Sequence, residues 1–276
     1  MHWSQAYLDD ILLSFGENGV KAGVNLWWPD YHDYAGFLRI CRKRGLFERF
    51  AQFCRPDWRL FGWQGTKFVK KLCADMPKFA KLGATGLKVW KDIGMFNFHA
   101  DGTPVVMDDE QLEPVWRMAA ELGWRIAVHQ ADPSKSYTQR ARTKIPREEI
   151  FKRRDAVISR HPEIKFTLCH SGNDIEDYDK FAAHLDRFPN VNADLRWPAN
   201  FTSAPGREKA FLEKYSHRLY LGPDMVMSVE RPPDRKWNNE QCYGPLRRNF
   251  TACGLSAEAF TNITWKNGTR DFLKKT

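Results

Sequence analysis

Short apolar, β-rich stretches alternate with helical ones along nearly the whole chain, and that alternation leaves few folds open. The stretches that read as strands are 22–28, 59–63, 85–90, a run from Gly123 that ends at His129, 164–169, 191–195 and 218–221. Between them the apolar spacing is helical. Tyr7, Ile11, Leu12 and Phe15 follow Ser4 as N-cap, and Phe37, Leu38 and Cys41 share a face in 34–45. A further helix runs from Thr66 to about Leu82, with Pro77 expected to break it. Leu112, Val115, Trp116, Ala119 and Leu122 form the next face, closed by Gly123. Helices opened by Pro146, carried by Ile175–Leu185, and spanning 207–216 and 256–273 complete the pattern, with a long irregular stretch rich in Pro and Trp before the last.

Connections this short do not separate domains, so 1–276 reads as one domain of the α/β class: a parallel sheet flanked by helices. Seven strands with eight helices point to a (β/α)8 TIM barrel rather than an open sheet. The chain starts on a helix, so the barrel is incomplete at its first β-strand. Either Met1 is not the natural start, or the barrel closes in an unusual way. Its second and eighth strands then have open edges, which invite pairing with another chain. The expected result is a split wall between Val24 and Tyr220, or a homo-oligomer that covers it.

Composition excludes several classes. The net charge of +9 comes from basic residues spread along the chain, with concentrations at 67–71, 140–154 and 231–236. Each run alone reads as solvated helix surface, and the surplus leans mildly toward acidic substrates. No nucleic-acid-binding module is visible, so no nucleic acid is expected. Six scattered cysteines without a Cys-x-x-Cys pair argue against a disulfide framework and a cysteine zinc site. No apolar run approaches about 18 residues and no signal segment is seen, so no membrane partner and a cytoplasmic setting are expected.

The chemistry concentrates at strand ends. His129 would end the fifth strand of a full barrel, His170 follows the sixth, and Asp224 follows the eighth in Leu-Gly-Pro-Asp. In such folds ligands bind where strands end and loops begin. Two neutral imidazoles and a carboxylate suit zinc and similar divalent ions, with a position left for water.

From about Gly23 to Leu273 the chain resembles the amidohydrolase superfamily, in particular its branch of small barrel hydrolases and decarboxylases. The matching segments are Gly-Ala-Thr-Gly-Leu-Lys-Val-Trp-Lys-Asp at 83–92, Val-His-Gln-Ala-Asp-Pro at 128–133, and His-Pro-Glu followed by Cys-His-Ser-Gly-Asn within 161–173. Pro-Asn-Val-Asn-Ala-Asp at 189–194 and Leu-Tyr-Leu-Gly-Pro-Asp at 219–224 continue the series. The resemblance implies a metal, with zinc the best match, bound by His129, His170 and Asp224. It gives Asp224 and His170 catalytic parts: Asp224 ligates the metal or takes a proton from its water, and His170 binds metal or polarises water and substrate.

In several members a carboxylated lysine bridges two metals, and Lys88 stands in such a setting. Alternatively, Lys88 pairs with a carboxylate inside the barrel, or Lys91 binds an anionic substrate. Asp194 and Arg196 are substrate-facing or structural, and Trp27, Trp28, Trp90 and Trp197 wall a pocket or fill the core. Relatives carry His-x-His on the first strand, and this chain has none; His2 is a weak substitute. Pro223 also replaces the usual Thr. The expected activity is metal-dependent hydrolysis of an ester, lactone or amide of a small anionic substrate. A non-oxidative decarboxylase, or a truncated or inactive barrel with a binding role, are the alternatives.

Overall fold

The computed structural model describes residues 5–26, 32–173, 177–195, 205–222 and 244–273. Seven strands lie in chain order in one sheet: β1 (Gly23–Asn25), β2 (Phe50–Cys54), β3 (Ala84–Val89), β4 (Arg125–Val128), β5 (Phe166–Leu168), β6 (Val191–Leu195) and β7 (Leu219–Leu221). From β2 to β6 every pairing is parallel, and helices separate the strands in sequence. Among the described residues this is the α/β architecture of an incomplete (β/α)8 barrel, with seven strands. The chain divides into two compact units, Val24–Phe47 with Ala51–Ala193, and Met1–Gly23 with Glu48–Phe50 and Asp194–Thr276.

In the larger unit the register sorts side chains into rows. Leu87, Ile126, Phe166 and Val191 align in one row, and Val89, Val128, Leu168 and Ala193 in another. All eight are buried. Between these rows lie Lys88, Ala127, Thr167 and Asn192. Successive strand residues point to opposite faces, so the two apolar rows share one face and the small or polar row takes the other. Lys88 and the residues two steps further on, including His129, are thereby set on the face a barrel turns inward.

Helix Thr66–Leu82 buries Phe68, Val69, Leu72, Met76 and Phe79, and Gly83 ends it with a left-handed φ of 113°. The expected break at Pro77 does not occur; the helix continues through it. Proline removes one N–H bond, and burial of Met76 and Phe79 on either side outweighs that loss. The expected strand at 59–63 is instead the helix Arg59–Gln64, opened where Asp57 accepts from the Arg59 N–H at 3.2 Å. The strand at this point of the fold is Phe50–Cys54, buried at every position, so it shows no alternation to read. Helix Gly244–Ala252 lies in the stretch expected to be irregular, and helix Ser134–Arg140 lies between the strand ending at His129 and Pro146, where no helix was assigned.

In the smaller unit Phe15 stacks on Phe50 with ring centroids 5.3 Å apart. Ser256 caps its helix by accepting from the Ala259 N–H at 3.2 Å. The closing segment is not one regular helix: a π-helical stretch, Asn262–Lys266, interrupts it. Asn267 then donates to the carbonyls of Ser216 (2.6 Å) and Leu219 (2.8 Å), docking the segment on β7. No helix of the described residues is long and apolar enough to cross a membrane.

Gly86 lies directly under the Phe53 ring, where a Cβ would come within 2.4 Å of it. Gly86→Ala is expected to destabilise the protein by roughly 1–3 kcal/mol through overpacking. Gly268→Ala, on a helix with nothing within 4 Å of the new Cβ, is expected to be neutral or to stabilise by up to about 1 kcal/mol. Urea unfolding of both variants checks the pair; equal midpoints would contradict this packing.

Candidate active site

The site is built at the C-terminal ends of β3, β4 and β5. Ladder bonds extend one residue past two of these strands: the His129 N–H donates to Val89 O (3.0 Å), and the Cys169 N–H to Val128 O (2.8 Å). The residue after each strand therefore inherits strand precision. Trp90, one residue past β3, sets its ring edge-on to the His129 ring at 4.9 Å. His129 in turn meets the His170 ring at 4.5 Å and 84°.

The chain after β5 turns through an unusual backbone. His170, Ser171, Gly172 and Asn173 all have positive φ, between 53° and 66°. For the three non-glycine residues this is strain of about 1–3 kcal/mol each, and neighbours hold it. The Asn173 amide donates to the carbonyls of Gln130 (3.2 Å) and Ala131 (3.0 Å) in the preceding loop. Arg147 donates from Nε to Asp132 O (3.1 Å) and from Nη2 to Asn173 O. The two loops that carry the histidines are thus laced together.

Asp132 is the electrostatic centre. Lys91 Nζ donates to its Oδ1 at 2.7 Å and Arg140 Nη1 to its Oδ2 at 3.1 Å. Burial would raise its pKa, but His129, Lys91 and their positive field outweigh that and hold the carboxyl at about 2. His129 moves the other way for its class. Burial drives the imidazole down to about 4, with the Lys88 and Lys91 charges adding to the drop and Asp132 opposing it. His129 is therefore neutral at pH 7. Its Nε2 faces Asp132 Oδ1 at 3.6 Å, an electrostatic contact beyond hydrogen-bond length. Its Nδ1 is buried with no hydrogen-bond partner among the described residues.

A neutral imidazole with one nitrogen turned to a carboxylate and the other buried and unpaired has the arrangement of a metal-ligating histidine. The donor chemistry fits a divalent ion, with His170 beside it. Among the described residues no third His, Cys, Asp or Glu joins them. Asp224 and Arg196 lie outside the described residues, as do His2, Trp27, Trp28 and Trp197. Asp194 belongs to the smaller unit. It shares a face of β6 with Asn192, and its side chain packs against Gly222, where a Cβ would lie 2.6 Å from the Asp194 Cβ.

His129, His170, Lys88 and Lys91 are thus brought to one region. Lys91 pairs with Asp132, and Lys88 Nζ instead meets Cys169 Sγ at 2.8 Å. Sequence reasoning gave no role to Asp132, Arg140, Arg147, Cys169 or Asn173. The one available signal was the carboxylate three residues after His129 in a stretch that is not helical. A cavity of about 570 Å³ on the larger unit, lined by Trp63, His99, Asp101, Asp109 and Gln111 among others, contains none of these residues.

A parallel barrel sheet with imidazoles gathered at its C-terminal strand ends is the layout of barrel enzymes that work from that face. The amidohydrolase family profile matches residues 50–272, and the chain belongs to that family. Three similar solved structures show the same fold. A TIM-barrel protein from Bordetella bronchiseptica is 15% identical with a TM-score of 0.60, over 94% of this chain and 80% of its own. A proposed 2-pyrone-4,6-dicarboxylic acid hydrolase from Pseudomonas putida is 15% identical with a TM-score of 0.59, over 96% and 86%. A 2,6-dihydroxybenzoate decarboxylase from Rhizobium is 18% identical with a TM-score of 0.60, over 96% and 87%. No curated protein sequence matches the chain significantly.

The lowered His129 value of about 4 has a signed consequence. The unfolded imidazole, near 6.5, binds a proton that the folded one refuses until pH falls through 4. Between those values the unfolded state holds more protons, so stability falls as pH drops. Below about 4 the depressed Asp132 carboxyl adds a further loss in the same direction. Urea unfolding of metal-stripped protein is expected to lose on the order of 3 kcal/mol between pH 7 and pH 4 from His129. His129→Gln should flatten most of that slope; an unchanged slope would refute the buried neutral imidazole.

Proposed function

We propose that the protein hydrolyses an ester, lactone or amide bond of a small anionic substrate, using a divalent metal, zinc foremost, held by His129, His170 and Asp224. The observation that carries this reading is the His129 imidazole itself: buried, neutral, turned to Asp132 through Nε2 and left with an unpaired Nδ1 beside His170. A divalent ion in such a site lowers the pKa of bound water from 15.7 to about 7 in favourable cases.

The chain's own residues do the rest. Asp132, kept anionic by Lys91 and Arg140, orients the His129 ring and favours the tautomer with its proton on Nε2. His170 polarises the substrate carbonyl or the attacking water. Asp224, assigned from its place after the last strand, takes the proton that the water loses. Lys88 and Lys91 set the field that selects an acid, Asp194 and Arg196 being assigned to the substrate from the sequence alone, and Trp90 offers a flat wall beside His129. The neighbours' names agree in substrate type: one is named for a pyrone dicarboxylic acid and another for a dihydroxybenzoate.

Two measurements on the full chain test this. Metal analysis after reconstitution with zinc or manganese should approach one equivalent, and less than about a tenth would count against it. Asp132→Asn should weaken zinc binding about 10–100-fold as an orienting partner, and His129→Ala should weaken it further. Carboxylated lactones and esters, and hydroxybenzoates, are then offered as substrates. Acid release from lactones supports hydrolysis, whereas carbon dioxide release from hydroxybenzoates alone would replace it with decarboxylation.

A further inference from the structure

Cys169 has no part in the proposed hydrolysis, yet its thiol is held against an amine. Lys88 Nζ lies 2.8 Å from Cys169 Sγ, and the two residues are 3% and 1% exposed. They come from β3 and from the residue after β5, so they meet across the end of β4, which lies between those strands. The β4 residue level with Lys88 is Ala127, whose methyl group leaves the space for this contact. The other described cysteines, Cys41, Cys54, Cys73 and Cys253, are likewise outside any disulfide.

Burial decides what oxidation can do here. A thiol this enclosed cannot reach glutathione or a second protein thiol, whereas dioxygen is small and apolar enough to enter. An activated sulfur would find the Lys88 nitrogen in contact. A single oxygen fits between nitrogen and sulfur at this separation with little movement. A direct N–S bond would require β3 and β5 to close by about 1 Å, against a packed interior.

We propose that Lys88 and Cys169 are a redox modification site that forms a covalent nitrogen–oxygen–sulfur link with dioxygen as oxidant. One N–O and one O–S bond form, and the thiol S–H and two N–H bonds of the ammonium break. One dioxygen atom becomes the bridge and the other leaves as water, with one proton released. Nitrogen and sulfur are oxidised and dioxygen is reduced. The link ties β3 to β5 and removes the Lys88 positive charge from the site that the proposed function assigns to an acid. Thiol reductants cleave its O–S bond and restore both side chains.

The test uses the whole protein, held in dioxygen-saturated buffer and mapped by mass spectrometry without reduction. The expected product is a gain of about 14 Da (one oxygen added, two hydrogens lost) on a cross-link between the Lys88 and Cys169 peptides, removed by dithiothreitol. Lys88→Arg and Cys169→Ser should each abolish the link, and Cys73→Ser should leave it. A Cys169 that remains an alkylatable thiol overturns the proposal. So does an unlinked gain of about 16 or 32 Da at Cys169, or a linked product about 2 Da lighter than the starting pair. The wild-type map decides the matter even if a variant fails to fold.

Discussion

Asp132 holds the mouth of the larger unit together. Its carboxylate accepts from Lys91, just past β3, and from Arg140 on the following helix, and it faces His129, just past β4. Its own carbonyl receives Arg147, which reaches on to the loop after β5. Exposed pairs such as Lys71–Asp75 contribute about 0–1 kcal/mol. Removing one partner of a buried pair strands a charge and destabilises by about 3–5 kcal/mol. Lys91 and Asp132 are both buried, so this pair belongs to the second kind, and the site geometry rests on it.

The same network accounts for the backbone strain beside it. A run of left-handed residues at His170, Ser171 and Asn173 is tolerable only where the surroundings over-determine it. Asn173 supplies part of that by bonding two carbonyls of the loop after β4, and Arg147 closes the circuit. The strained turn sets the His170 ring edge-on to His129. Strain on one loop and charge pairing on the other therefore serve a single outcome, two imidazoles in contact at neighbouring strand ends.

Much of this was legible in the sequence, because alternation of strand and helix is a local property. His129 and His170 stood out as polar residues ending apolar runs, and the ladder bonds just past β4 and β5 bear out their strand-end placement. What was illegible is long-range. Asp132 pairs with Lys91 across 41 residues, so its turn-forming chemistry was visible and its ion pair was not. Phe50–Cys54 is buried on both faces and carries no period-two signal. Arg59–Trp63 is a short, largely apolar run that reads as a strand, but Asp57 starts a helical turn there and Trp63 is left 81% exposed. Pro77 would stop an isolated helix; buried side chains on either side of it decide otherwise.

The charge balance at the site bears on what the protein selects. Lys91 and Arg140 are partly neutralised by Asp132, whereas Lys88 contacts a thiol and has no carboxylate within ion-pair distance among the described residues. Keeping an ammonium out of water without a counter-charge costs several kcal/mol. On the reading proposed above, an arriving carboxylate would supply that counter-charge and offset a cost the resting chain already bears, which a neutral substrate of the same shape could not do. On the proposed reading, discrimination for acids comes from Lys88, a buried cation with no carboxylate at ion-pair distance among the described residues, more than from the basic surplus spread over the whole chain.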